Sequence, residues 1–247
     1  NNQLALRRGN TTVLGTAASD DPVAAALVEG AEDDIFVAIG ADNGTSAQSD
    51  SSKFGKLFRI RNNPDPYAGA SCCTYFYGGA VGSGIRSPGG IALVHGTVVF
   101  SDRGTQAADE LSAYSGADDV NFGWPFFEGT QRVLDGGPAS LVEPILSLPL
   151  GSGRGKSSGL IGPGFYEGSA IEGLRNHLVM FDASGTVFSY DVDRNDDGTV
   201  IDASGVEIRT QDFTPDVGTI DSPVAVARDA EGMLYVLDGD GELYRIE

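Results

Sequence analysis

The chain has 247 residues, of which 35 are glycine, and methionine, histidine and cysteine occur only twice each. Its 35 acidic residues outnumber the 16 basic ones, and the resulting formal net charge of −19 repels nucleic-acid backbones and anionic lipid surfaces. No run of 18 apolar residues is present, so we expect no membrane insertion and no nucleic-acid partner. The abundance of glycine favours many short strands joined by tight turns.

The N-terminal part carries two features that bear on where the protein works. Asn10 and Asn43 begin glycosylation sequons, which are used only in a suitable secretory cell. Cys72 and Cys73 are adjacent, so they could close a strained eight-membered ring, stay free, or pair with another chain. We expect a secreted protein in an extracellular or periplasmic location.

Four segments repeat one pattern, in which an apolar strand, a Gly/Asp turn and a second alternating strand follow one another. They are DDIFVAIGADNG with GKLFRIRNN, GGIALVHGTVVFSDRG, HLVMFDASGTVFSYDVD and GMLYVLDGDGELYRIE. A repeated unit of this length predicts an all-β fold of the β-propeller type, whereas a sandwich would not give matched pairs of strands. We count four blades and part of a fifth in QLALRRGNTTVLGTAA. The chain 1–247 is therefore predicted to be one propeller domain, incomplete at its N-terminus or completed by a partner chain.

The single tryptophan lies in NFGWPFFEG, between a glycine and a proline. A glycine and a proline on either side of the tryptophan are unusual in a buried helix or strand, so the segment is predicted to be a rigid loop. Loops on rigid scaffolds often carry function. The rings of Trp124, Phe126 and Phe127 could stack on a sugar. For the two phenylalanines a small core within the loop is the favoured interpretation.

Several motifs in this order resemble the soluble quinoprotein glucose/sorbosone dehydrogenase family over roughly residues 22–247. They are GKLFRIRNNPDPYAG, GIRSPGGIAL, DRGTQAADEL, NFGWPFFEG, GPGFYEGSAIEGLRNHLVMFDASGTVFSYD and DAEGMLYVLDGDGELYRI. The resemblance implies a six-bladed propeller that oxidises sugars or related alcohols. It further implies pyrroloquinoline quinone on the propeller axis, held by basic side chains and a calcium ion, with a histidine as the base.

The resemblance assigns roles to individual residues. Arg86 matches the arginine that faces the quinone carboxylates, which a guanidinium pairs in a bidentate manner, and Trp124 is placed beside the cofactor. Gly104 and Thr105 match the pair whose carbonyls hold calcium, although threonine replaces the family's proline. Asp109 and Glu110 match acidic residues near further calcium ions, and a solvated acidic loop is the alternative.

The histidine base has no counterpart. Its register falls on Asp21 to Ala24, while His95 and His177 flank strands at turns. Asp21 is the remaining candidate base, because burial can raise the pKa of a carboxylate into the working range. A propeller without catalysis, stabilised by calcium and serving as a binding or structural module in a larger assembly, is therefore the alternative function.

A second calcium prediction comes from DVDRNDDGTVID. Oxygen-bearing side chains fall at positions 1, 3, 5, 7 and 12, as in a calcium-binding loop, and they are Asp191, Asp193, Asn195, Asp197 and Asp202. The alternative is a charged hairpin turn, which Asp and Asn favour in any case. The glycine-rich GSGRGKSS lacks the spacing of a phosphate-binding loop and is predicted to be a linker.

Overall fold

The computed structural model describes residues 5–8, 11–15, 24–30, 34–41, 44–64, 74–169, 171, 173–194 and 200–246. Within these ranges the chain forms one short helix and 20 strands. The elements are β1 (Ala5–Arg8), β2 (Thr11–Gly15), β3 (Ala25–Glu29), β4 (Ile35–Ile39), α1 (Gly44–Gln48), β5 (Lys56–Pro64), β6 (Thr74–Ser83), β7 (Pro88–Val94), β8 (Thr97–Asp102), β9 (Ala108–Tyr114), β10 (Val120–Asn121), β11 (Phe127–Glu128), β12 (Gln131–Arg132), β13 (Leu146–Pro149), β14 (Leu160–Tyr166), β15 (His177–Asp182), β16 (Val187–Arg194), β17 (Val200–Ile208), β18 (Pro223–Arg228), β19 (Leu234–Asp238) and β20 (Leu243–Ile246).

The described strands form six sheets, of which β1-β2 and β11-β12 are two-stranded hairpins. The other four follow one another along the chain as blades of mainly antiparallel strands, which confirms the predicted all-β, blade-by-blade organisation. Blade 1 is β3-β4-β5-β6, with β10 added in parallel to its outer edge. Blade 2 is β7-β8-β9-β13, blade 3 is β14-β15-β16-β17, and blade 4 is β18-β19-β20. The strands β1 and β2 pair with each other as a separate hairpin.

The first strands of successive blades lie against each other, β3 on β7, β7 on β14 and β14 on β18. This arrangement places the innermost strands around a common axis, as in a propeller. The approach is close because glycines line it. A Cβ atom on Gly89 would overlap the carbonyl oxygen of Leu160, and one on Gly90 would overlap Gly162.

Apolar side chains fill the spaces between neighbouring blades. Phe36, Leu57 and Phe100 belong to the core between blades 1 and 2. In blade 3, alternate residues of each strand face opposite sides of the sheet. One side packs against blade 2, and the other packs against blade 4 in a cluster that includes Phe181 and Val236. Because each blade is covered through its neighbours, stacking blades and not a single sheet provides the core. No helix in the described residues is long and apolar enough to cross a membrane.

One hydrogen bond recurs at the same position in all four blades. The residue that follows the second strand donates its backbone N–H to the carbonyl of the residue that precedes the first strand. The pairs are Gly40 to Ala24, Arg103 to Ser87, Ala183 to Gly159 and Gly239 to Ser222, at 2.8–3.1 Å. We call this side of the molecule the upper edge.

Several predicted features lie outside the described residues. They are the sequon residues Asn10 and Asn43, the pair Cys72 and Cys73, the candidate base Asp21, and the candidate calcium ligands Asn195 and Asp197. Of Asp193 and Asp202 the structure describes the backbone, and the two face each other in the antiparallel pair of β16 and β17.

Candidate functional site

An open pocket of about 700 Å³ lies at the upper edge of blades 1 to 3. The residues of the recurring hydrogen bond line it, since Ala24, Ser87, Arg103, Gly159 and Ala183 all contribute. Arg86, Gly104, Thr105 and Asp109 complete the part of the wall that carries chemistry. The fold thus brings four residues that the sequence singled out to one pocket: Arg86, Gly104, Thr105 and Asp109.

Arg86 is positioned by its neighbours on both sides. Its Nη1 donates to the carbonyl oxygen of Arg103 at 2.8 Å and, at a longer 3.5 Å, to that of Gly104. The guanidinium carbon lies 5.5 Å from the ring centre of Trp124, within the range of a cation–π contact. The two residues that the resemblance placed at the cofactor are therefore neighbours.

Arg103 is a second guanidinium in this pocket, and the sequence reasoning did not identify it. Its Nη2 donates to the hydroxyl of Ser87 at 3.1 Å. Asp102, buried directly below, accepts the backbone N–H groups of Arg86 at 2.7 Å and Ser87 at 2.5 Å. Burial raises the pKa of Asp102 to about 6, while those N–H groups and the charges of Arg86 and Arg103 act in the opposite direction.

The predicted calcium ligand Asp109 is buried and already has three donors. Its carboxylate accepts the N–H of Gly104 at 2.9 Å, the hydroxyl of Ser157 at 2.6 Å and the N–H of Leu160 at 3.1 Å. These bonds connect blade 2 to the linker segment and to the first strand of blade 3. They leave Asp109 satisfied without an ion.

Glu110 lies instead on a second, much smaller cavity of about 10 Å³, whose wall also includes Asp102, Trp124 and Glu128. That space is about the size of one water molecule or ion. Burial raises the pKa of Glu110 well above its ordinary value, and the charges of Asp102, Glu128 and Asp109 raise it further. The N–H of Gly129 donates to its carboxylate and opposes this shift.

Glu128 organises the turn that carries Gly104 and Thr105. Its Oε1 accepts the N–H and the hydroxyl of Thr105, both at 2.8 Å, and its Oε2 accepts the N–H groups of Gln106 at 2.8 Å and Ala107 at 2.6 Å. Burial favours the neutral acid, but the donors of Ala107, Gln106 and Thr105 outweigh it and lower the pKa of Glu128. The feature of the sequence that could have pointed to Glu128 is its position, as the acidic residue at the end of the aromatic loop NFGWPFFEG.

The aromatic loop is docked on blade 1. Gln48 of α1 donates to the carbonyl of Trp124 at 2.5 Å and exchanges hydrogen bonds with the amide of Asn121. Phe122 is buried, with its ring edge-on to Phe100 at 4.9 Å. These contacts hold Trp124 under Arg86.

The other two phenylalanines of the loop, Phe126 and Phe127, are partly buried. The ring of Phe126 lies against Gly137, and that of Phe127 lies 4.4 Å below the guanidinium of Arg132. Phe126 and Phe127 thus contact neighbouring parts of the same loop region.

Neither histidine is among the described residues that line the pocket. His95 occupies the turn between β7 and β8 and lies edge-on to Phe165 at 5.2 Å. His177 begins β15 and pairs across the sheet with Asp191, which is exposed. Asp191 and Asp193 lie in β16 and Asp202 lies in β17. The role of the segment 191–202 as a calcium loop stays a prediction.

The chain is similar to several solved sugar dehydrogenases. A glucose dehydrogenase superposes with a TM-score of 0.63 at 21% identity, covering 90% of this chain and 63% of that one. The soluble aldose sugar dehydrogenase of Escherichia coli, in its apo form, gives a TM-score of 0.65 at 20% identity, covering 96% and 68%. The PQQ-bound aldose sugar dehydrogenase of Streptomyces coelicolor gives 0.58 at 18%, covering 87% and 57%.

These similarities establish the fold, which is that of the propeller dehydrogenases, and confirm the resemblance seen in the sequence. The chain spans 57–68% of the length of those three structures. Its sheets do not close into a ring within the described residues, as expected of a partial propeller. No family model matches the chain, and no curated protein matches its sequence.

Proposed function

We propose that this chain is the larger part of a propeller dehydrogenase that oxidises a sugar or related alcohol, and that the upper-edge pocket binds pyrroloquinoline quinone. The observation that carries the proposal is the charge of the pocket. The chain has a net charge of −19, yet the charged side chains that line the pocket among the described residues are two guanidiniums, Arg86 and Arg103, and one carboxylate, Asp109. That carboxylate is already held by three donors.

The pocket fits an anionic, planar group. Arg86 and Arg103 would bind its carboxylates, because a guanidinium offers paired donors in the plane that a carboxylate requires. The carbonyl oxygens of Gly104 and Thr105 would supply hard ligands to calcium beside it. When bound, the quinone accepts the electrons removed from the substrate. The ring of Trp124, 5.5 Å from the guanidinium carbon of Arg86, would support that side chain from below through a cation–π contact.

The base is proposed to come from the chain entering blade 1. Asp21 precedes Ala24 by three residues, and Ala24 lines the pocket. Three residues of extended chain span at most about 11 Å, so the backbone of position 21 can be no farther than that from Ala24. A carboxylate can act as a general base in this role.

The test is sugar-dependent reduction of the reconstituted protein. The purified chain is incubated with pyrroloquinoline quinone and calcium, and an artificial electron acceptor is then followed optically after addition of aldoses. Turnover in the wild type that falls at least tenfold in Asp21→Asn supports the proposal. Absence of turnover together with absence of quinone binding contradicts it.

The second candidate is the non-catalytic, calcium-stabilised binding module. It is favoured by one observation, that no histidine is among the described residues lining the pocket. Its signature is a melting temperature that rises with calcium in a protein that binds no quinone. Binding of one quinone per chain contradicts it.

We also propose that further blade-type sheet covers the free face of blade 4. On that face Leu237 and Leu243 pair across the strands and are 41% and 66% exposed, while Leu234 and Val236 on the opposite face are buried against blade 3. An exposed apolar face on the last of a series of stacked blades is typical of a surface that another sheet covers. If this face is exposed, the wild type should bind the dye ANS and the double variant Leu237→Glu, Leu243→Glu should not. Equal dye binding by the wild type and the double variant contradicts the exposure.

A further inference from the structure

Three aspartates meet at the upper edge of blade 4, away from the residues that form the pocket. Asp221 lies just before β18, Asp238 ends β19, and Asp240 lies in the turn between β19 and β20. One carboxylate oxygen from each lies within 4.8 Å of the other two. Asp221 and Asp240 are exposed, whereas Asp238 is only 1% exposed.

Asp238 has one oxygen that is satisfied and one that is not. Its Oδ2 accepts the N–H groups of Asp221 and Ser222, both at 3.1 Å. Its Oδ1 is buried and has no hydrogen-bond partner, although the amides of Asp240 and Gly239 lie near this carboxylate. A buried charged oxygen without a partner costs stability.

Asp221 and Asp240 add two carboxylates to that of Asp238, and Glu242 follows two residues after Asp240. None of the ion pairs found among the described residues includes these four side chains. The cluster therefore concentrates negative charge that no basic side chain in those ion pairs balances.

The repeat within the fold supplies a matched comparison. In blade 2 the position of Asp238 is taken by Asp102, which also ends a second strand and accepts the two N–H groups that precede the first strand. There each carboxylate oxygen has a donor, and the charges of Arg86 and Arg103 lie close by.

The recurring hydrogen bond aligns the two blades residue by residue, Arg103 with Gly239 and Ser87 with Ser222. By that register Asp221 stands where blade 2 has Arg86, and Asp240 stands where it has Gly104. Blade 4 thus keeps the central aspartate but has lost both arginines and gained two carboxylates. A cation is the group that would restore the balance.

We propose that Asp221, Asp238 and Asp240 bind a divalent cation of the calcium type, which takes the place that arginine fills in blade 2. Carboxylate oxygens at a flexible turn are the hard ligands that calcium accepts in varied geometry. The free Oδ1 of Asp238 provides the buried ligand, and the two exposed aspartates close over the ion. The ion would connect the segment entering blade 4 to the turn that closes it, so its role is structural and separate from the pocket.

The test counts calcium ions and compares variants that keep the fold. Calcium is titrated calorimetrically into the chelator-treated wild type, Asp240→Asn, Asp221→Arg and the exposed control Asp216→Asn. We expect Asp240→Asn to bind one ion fewer than the wild type, or to bind that ion at least tenfold more weakly, and Asp216→Asn to match the wild type. Asp221→Arg should lose the same ion and, in excess chelator, melt above the wild type, because the guanidinium replaces the ion.

The proposal is overturned if Asp240→Asn binds as many calcium ions as the wild type with unchanged affinity. It is also overturned if Asp216→Asn loses an ion to the same extent, which would indicate general screening of an acidic surface. An Asp221→Arg variant that melts below the wild type in chelator would refute the equivalence of ion and arginine.

Discussion

Replacing Glu128 by glutamine tests how the pocket turn is held. The carboxylate accepts four hydrogen bonds, two on each oxygen, from Thr105, Gln106 and Ala107. In Glu128→Gln one oxygen becomes an amide nitrogen that cannot accept, so two of the four donors, on a turn that is partly open to solvent, lose their partner. With bonds to a charged group contributing about 1.5–3 kcal/mol each, and with water able to reach the freed donors, the expected loss in unfolding free energy is at the low end of the sum, about 3 kcal/mol.

The assay is urea unfolding followed by the fluorescence of Trp124, the only tryptophan. For a chain of this size a loss of about 3 kcal/mol lowers the melting temperature by roughly 6–12 °C. The exposed residue Glu143 supplies the control, since Glu143→Gln makes the same chemical change at the surface. We expect the control to unfold with the wild type.

The pH dependence has a defined sign. The pKa of Glu128 is lower in the folded state than its ordinary value of 4.5. Its contribution is therefore present above about pH 4.5 and is lost as the pH falls through the folded pKa. The difference in unfolding free energy between the wild type and Glu128→Gln should be largest near pH 7 and should decrease towards pH 3.5. A difference that is absent at pH 7, or constant with pH, refutes the assigned role of the carboxylate.

Two further substitutions probe the scaffold. Gly89→Ala should lower the free energy of unfolding in urea by about 3 kcal/mol, because its methyl group would overlap the carbonyl of Leu160 and separate blades 2 and 3. The control is Gly79→Ala, where the added methyl group meets no other atom, and we expect no such loss there. Equal unfolding of these two variants would contradict the close approach. Gln48→Ala should cost about 1–2 kcal/mol and shift the emission of Trp124 to longer wavelength, because the loop loses its anchor; an unchanged spectrum would show that other contacts fix the loop.

The blades were predictable because alternation and turn chemistry are local. In HLVMFDASGTVFSYDVD the apolar residues and the Gly turn predict β15, its turn and β16 directly, and the structure confirms them. The outer strand of blade 2 was not predictable. It is β13, Leu146–Pro149, which pairs with β9 only after the chain has passed through the aromatic loop. A four-residue strand with a distant partner leaves no periodic signal.

The site was predictable in part. The motif around Arg86 and the loop of Trp124 were found from the resemblance, and the structure places the two side chains together. Arg103 and Glu128 were missed because their roles depend on which backbone groups the fold brings to them. The free oxygen of Asp238 was missed for the same reason. Only the comparison with Asp102 in blade 2 shows that Asp238 has no arginines at the positions of Arg86 and Arg103.

The most direct test of the account is the affinity of the pocket for pyrroloquinoline quinone in the presence of calcium. The measurement compares the wild type, the double variant Arg86→Gln, Arg103→Gln and the exposed control Arg175→Gln by absorbance titration. We expect one quinone per chain for the wild type and the control, with an affinity at least a hundredfold weaker in the double variant. Equal binding by all three proteins, or no binding by the wild type, would contradict it.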